Sequence, residues 1–193
     1  MFLLVFTSVI GLAFIIERGF ALRWGRVIPR AIDEAVERCA SSKEAVQVVN
    51  ASSANSSPVG RLLLLANGHL DWSKQDNIDS VETAARHEVI KLERGLVVLE
   101  IIVGIAPLMG LVGTLHGLIT LFASLGSVGV SDNAALAKGI SIALNTTLMG
   151  LIVAIPSLIA WSYYNKKVET LAIEMEMICE KFLRCQYRDK ASA

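Results

Sequence analysis

Three stretches of the chain carry almost only apolar side chains, and the polar residues between them recur at helical spacing. The first stretch, Met1 to Ile16 (MFLLVFTSVIGLAFII), ends at Glu17-Arg18. The second runs from about Leu96 to Leu125 and the third from about Gly139 to Tyr164. A helix crossing the hydrocarbon layer needs about 20 residues. The second and third stretches reach that length with room for tilt, whereas the first is short and needs Phe20, Leu22 and Trp24 to extend it into the interface. It has neither the basic start nor the small-residue cleavage site of a secretory signal, so the expectation is an uncleaved membrane helix. The pattern predicts an all-α, three-span integral membrane protein with long helices extending into the cytoplasm and assembling as a ring. Its divisions are a first span over 1–17, a cytoplasmic helical loop over 18–95, the second and third spans with a short external loop over 96–164, and a cytoplasmic helical tail over 165–193.

The loop reads as mostly helical. Pro29 suits the first turn of a helix continuing RAIDEAVERCA, with Ile32, Val36 and Cys39 on one face. Asn50 to Pro58 (NASSANSSP) reads as a polar connector, Val59 to Leu70 as a short apolar helix, and Asp76 to Asp79 as caps for the next. From Asp79 to Leu125 nothing clearly breaks the helix before Pro107, which predicts one rod of about 70 Å at ~1.5 Å per residue. In the tail, Val168, Leu171, Met175, Ile178, Phe182 and Cys185 alternate three and four apart as a heptad seam. Helices of this length, with such a stripe, predict a homo-oligomer.

Charge fixes an orientation. Arg18, Arg23, Arg26 and Arg30 follow the first span, Arg86, Lys91 and Arg94 precede the second, and Lys166-Lys167 follow the aromatic belt of Trp161, Tyr163 and Tyr164. The connection GSVGVSDNAALA carries no Lys or Arg. Positive flanks stay in the cytoplasm, which places the amino terminus outside and the loop and carboxyl terminus inside. The NAS and NSS sequons of a cytoplasmic loop would then never be glycosylated.

Overall charge is balanced, 18 basic against 18 acidic residues, and gives no reason to expect a nucleic-acid partner, while the 53% hydrophobic content fits a lipid environment. The three cysteines, Cys39, Cys179 and Cys185, form no metal spacing and read as buried thiols of a reducing compartment. No nucleophile–base arrangement, phosphate loop or metal cluster is present, so neither an enzyme nor a cofactor is expected.

Two faces stand out within the membrane stretches. Pro107, Gly110, Thr114 and Gly117 share one side of the second helix; Ala143, Thr147, Gly150 and Ala154 share one side of the third. Both faces are small, with one hydroxyl each. Such a pair is either a tight packing seam, each threonine bonded to the carbonyl one turn back, or the lining of a polar path. Ser141, Asn145, His116 and Glu100 are further polar groups suited to inter-helix contacts, Glu100 with Arg94 or with a neighbouring subunit.

The stretches LERGLVVLEIIVGIAPLMGLVGTLHGL and GISIALNTTLMGLIVAIPSLIA, with SPVGRLL at Ser57 to Leu63 and ERG at Glu17 to Gly19, resemble the MotA/TolQ/ExbB proton-channel family, closest to its ExbB/TolQ branch. The resemblance implies an inner-membrane pentamer whose second and third helices surround the single-span helices of two ExbD/TolR-like partners. It further implies proton passage past an aspartate of the partner beside Thr114 and Thr147, and use of the proton-motive force for envelope transport or movement. One departure matters. The branch usually carries a glutamate in a G-I-A-E-A-L pattern, and here Ile142 stands in its place within Gly139 to Leu144. Either conduction relies on the partner's acid, the threonines and water, or the ring is a non-conducting scaffold for its partner.

Overall fold

The computed structural model describes residues 2–39, 42–128 and 133–191, all of whose regular structure is α-helical. The elements are α1 (Phe2–Ala21), α2 (Trp24–Val27), α3 (Arg30–Glu37), α4 (Ser42–Ser53), α5 (Pro58–Gly68), α6 (Lys74–Glu93), α7 (Leu96–Val128) and α8 (Asn133–Ala191). Three helices are long and apolar enough to cross a membrane, over Leu3–Ala21, Leu96–Ala123 and within Leu136–Arg188. The connection between α7 and α8, at 129–132, lies outside the described residues. The chain divides into two compact units: residues 1–18 with 95–163, and residues 19–94 with 164–193.

The first unit holds the membrane stretches and is turned inside out relative to a soluble domain. Its buried centre is small, Ile102, Ala106 and Ala154, with Ile10, Val98 and Val153 packed against it. Large apolar side chains point outward instead: Leu3, Phe6 and Leu12 on α1, Leu108, Val112 and Ile119 on α7, Ile142, Leu148 and Ile159 on α8 are all more than half exposed. That arrangement suits a surrounding of lipid or of other apolar helices. Pro107 and Pro156 both lie inside continuous helix, each removing one backbone donor without ending the element.

The second unit has a conventional core. Val27, Ile28, Ile32, Val36, Val48, Leu62 and Leu63 are each 3% exposed or less, as are Val168, Leu171, Met175, Ile178 and Phe182 of α8. The tail stripe is therefore covered by helices of its own chain, and the expectation that this seam holds copies together is corrected. Its polar end is tied in as well: the Tyr187 hydroxyl donates to the Trp72 carbonyl at 3.1 Å and accepts from Asn77 Nδ2 at 3.1 Å.

Other expectations also change here. The rod expected from Asp79 to Leu125 is two helices, α6 and α7, separated at Arg94–Gly95. Gly95 has low helix propensity, and a Cβ there would come within 2.3 Å of Arg18 Nε. The α6 cap is Ser73, ahead of the aspartates, and its hydroxyl accepts from Asp76 N at 3.1 Å. Asn50 to Ser53 of the expected polar connector form the last turn of α4 and Pro58 opens α5, leaving Ala54 to Ser57 to join them. Cys39 and Cys185 are bonded as a disulfide across 146 positions, with Cα atoms 6.3 Å apart, and Cys179 alone is a buried free thiol. No local spacing announces a pair that only the folding of this unit brings together.

An ion cluster around the buried Glu88 supports the same unit. Glu88 is held by Arg61 Nε at 3.3 Å, by a second, short bond from the Arg61 guanidinium, and by Lys91 Nζ at 2.9 Å. Burial pushes the Glu88 carboxyl up, but the hydrogen bonds and charges of Arg61 and Lys91 outweigh it and leave its pKa below the ordinary value. Its contribution is thus present above the unfolded-state carboxylate pKa and lost as pH falls through the lower folded-state value. Hydrogen exchange on the full chain should show this unit losing protection on acidification below about pH 4.5, and Glu88→Gln should flatten that dependence. Phe182→Glu places an unpaired charge among fully buried side chains and should cost about 3–5 kcal/mol, seen as lost protection across α3 to α6. Unchanged protection in the Phe182 variant would mean the tail does not pack as described.

Candidate functional site: a hydroxyl cluster between two membrane helices

The small residues singled out in the sequence do two different things. Gly110, Ala143, Gly150 and Ala154 are buried, whereas Pro107, Thr114, Gly117 and Thr147 are half-buried. A Cβ at Gly150 would lie 2.7 Å from the Ala106 carbonyl oxygen and 3.1 Å from Gly110 Cα. One at Gly110 would lie 3.0 Å from Thr147 Cα, and one at Gly117 would lie 3.1 Å from Ala143 Cβ. Mostly these neighbours are backbone, which cannot rotate aside, so α7 and α8 approach this closely only because side chains are missing here.

That approach brings the threonines together. The Thr114 and Thr147 hydroxyls form a short hydrogen bond with one another. Thr114 Oγ1 also lies 3.2 Å from the Gly110 carbonyl oxygen, one turn back, and 3.1 Å from that of Ala143 on the facing helix. Thr147 Oγ1 reaches the Gly110 carbonyl at 3.3 Å. Thr114 thus bonds both its own helix and the facing one, whereas Thr147 reaches Gly110 and Thr114 across the seam.

The cluster has a third member that sequence reasoning passed over. Thr146 donates to the Ala143 carbonyl at 2.6 Å and sits 3.4 Å from Thr114 Oγ1. The run Asn145-Thr146-Thr147 was the available signal, but a single helix face admits only one of two adjacent residues. Here Thr146 faces α7 at Gly113, where a Cβ would come within 3.0 Å of its hydroxyl.

Three hydroxyls supply three protons, and the carbonyls of Gly110 and Ala143 together with the hydroxyl oxygens offer more acceptor positions than that. Several donor patterns satisfy the same heavy-atom geometry, so protons can reorient within the cluster without the helices moving. A threonine hydroxyl holds no ionisable proton in the accessible pH range, so the cluster can position and relay a proton but cannot store one. No Asp, Glu, Lys, Arg or His occurs from Gly139 to Asn165, which includes Ile142.

The remaining polar candidates lie apart from it. Ser141, Asn145, His116 and Glu100 are exposed, and Glu100 makes no ion pair among the described residues. Asn145 lines an apolar groove of about 280 Å³ with Ile142, Met149, Leu4 and Ser8. No group of three or more metal-ligating side chains occurs among the described residues.

Comparison with known proteins agrees with this architecture. The model of the MotA/TolQ/ExbB proton channel family matches residues 55–177, well over half of the chain. The biopolymer transport protein ExbB of Helicobacter pylori is 34% identical over 103 residues, covering 53% of this chain and 66% of its own. An ExbB-like protein of Synechocystis is 33% identical over 171 residues, 83% of this chain and 65% of its own. The Tol-Pal system protein TolQ of Pseudomonas aeruginosa is 28% identical over 202 residues, 97% of this chain and 86% of its own. The chain thus spans just under two thirds of the length of the two ExbB-type relatives. By its helices, its motifs and these matches, the chain belongs to the ExbB/TolQ branch of the MotA/TolQ/ExbB proton channel family.

Proposed function

We propose that this chain is the ring-forming channel subunit of an inner-membrane complex that couples the proton-motive force to envelope transport or movement. In this reading, copies form a closed ring, a pentamer, around the membrane helices of an ExbD/TolR-like partner, taken as two copies. The observation that carries it is the Thr114–Thr146–Thr147 cluster, a reorientable set of hydroxyls inside two membrane helices. Hydroxyls at such depth are otherwise disfavoured unless they face protein or water. Since α8 carries no acid at Ile142, the ionisable proton carrier in this scheme is the partner's carboxylate. Thr114 and Thr147 position and hand on its proton, flanked by Pro107 and Gly117, while Gly110, Ala143, Gly150 and Ala154 keep the two helices at the necessary distance. The positive-inside pattern orients the amino terminus outward, with the loop and tail in the cytoplasm.

The Ile142 position favours one second reading, a non-conducting ring that only holds its partner. Flux decides between them. Proteoliposomes carrying the chain with its partner should conduct protons. Thr114→Val and Thr147→Val should abolish that flux while costing only about 0.6–1.7 kcal/mol each in helix packing, and Asn145→Leu should leave it intact. Normal flux in both threonine variants removes the channel reading; no flux in the parent complex, with assembly intact, installs the scaffold.

Native mass spectrometry in detergent should show a closed oligomer of five copies, and a stable monomer would exclude the ring. Because the tail seam is covered within the protomer, the copies in this reading meet through the broad exposed apolar faces of the membrane unit. Ile142→Asn should therefore weaken the oligomer more than Glu176→Gln on the exposed side of the tail.

A further inference from the structure

A basic cleft lies where the first span ends. Ala21, the last residue of α1, lines it together with Gly25, Arg26, Ser57, Arg61 and Leu92, and it encloses about 450 Å³. We propose that this cleft holds the headgroup phosphate of an anionic phospholipid such as phosphatidylglycerol.

Its position is that of a headgroup layer. The candidate span closes at Ala21, and Phe20 and Trp24 on either side are 60% and 42% exposed. Exposed aromatics at the end of a span are the usual neighbours of lipid headgroups.

Its charge is of one sign. No Asp or Glu lines the cleft. Arg23, Arg26 and Arg30 are exposed and form no ion pair among the described residues. Behind Arg61, the Glu88 cluster sets two cations, Arg61 and Lys91, against one carboxylate, so it keeps one positive charge. Three arginines, Arg23, Arg26 and Arg30, within nine residues of the end of α1 form a segment that attracts anionic lipid.

One of its arginines is already held in place. Arg61 spends one N–H on the Ser56 carbonyl at 2.6 Å and two on Glu88. A guanidinium has five, so two remain on a group that can no longer swing away. Arg26 supplies a second guanidinium on the cleft lining, with no ion pair among the described residues, and guanidinium groups match the oxygens of a phosphate well. A free anion would meet the same donors, but the cleft opens beside the end of a span, where lipid phosphate is the concentrated species.

The test is native mass spectrometry of the delipidated full chain in detergent, titrated separately with phosphatidylglycerol, phosphatidylcholine and inorganic phosphate. Phosphatidylglycerol should be retained preferentially over both. Arg26→Gln, an exposed substitution away from the hydroxyl cluster, should lower its retention about fivefold. Lys166→Gln removes one exposed charge, paired with Glu169 at 2.8 Å, at the end of the third span and should leave retention within about twofold. Equal loss in the two variants would reduce the attraction to that of the whole basic face and overturn the cleft. Equal retention of phosphatidylcholine, or displacement by inorganic phosphate, would overturn the lipid. The readout uses the chain without its partner, so it stands or falls independently of proton flux.

Discussion

Everything in the membrane unit depends on how closely α7 approaches α8. In lipid, helices gain nothing from hiding apolar surface, because the tails around them are equally apolar; contact must come from packing and hydrogen bonds. Gly110 and Gly150 permit that contact by offering no side chain where the opposite backbone passes. Any larger residue at Gly150 would meet the Ala106 carbonyl, and the helices would have to separate. The buried centre is accordingly thin, and the bulk of Leu, Ile and Phe is displaced to the outer surface.

The hydroxyl cluster follows from that approach. A threonine on one helix normally returns its proton to a carbonyl one turn back, which satisfies it and leaves nothing for chemistry. Here the carbonyls of Gly110 and Ala143 are each within reach of hydroxyls from both helices, so no single donor pattern is imposed. The same residues that make the seam tight make its polar groups shareable. Tight packing and proton handling are one arrangement.

The second unit obeys ordinary soluble rules, and this changes where assembly can occur. The tail stripe from Val168 to Phe182 is buried by its own chain, the Tyr187 hydroxyl is anchored at Trp72, and Cys185 is bonded to Cys39. Nothing apolar is left over on that stripe to join copies. The broadest exposed apolar surface lies in the membrane unit, on the outward faces of α1, α7 and α8, while the second unit exposes only scattered large side chains such as Ile90, Ile173 and Met177.

The helical class, the three spans and the small residues of the α7–α8 seam were legible in the sequence, because lipid enforces long apolar runs and close helix contact demands small residues at three- and four-residue spacing. Local chemistry at a single position was read less well. Arg18 fills the space a Cβ at Gly95 would take, and the capping of α6 by Ser73 depends on which of several polar residues the turn selects. A periodic apolar stripe states that something covers it but not whether that cover is the same chain or another copy; Met175 and Phe182 were assigned only by the packing of the second unit. Thr146 joined its neighbours, and Cys39 found Cys185, for the same reason. Periodicity along one helix fixes which residues share a face, and only the tertiary structure decides what that face meets.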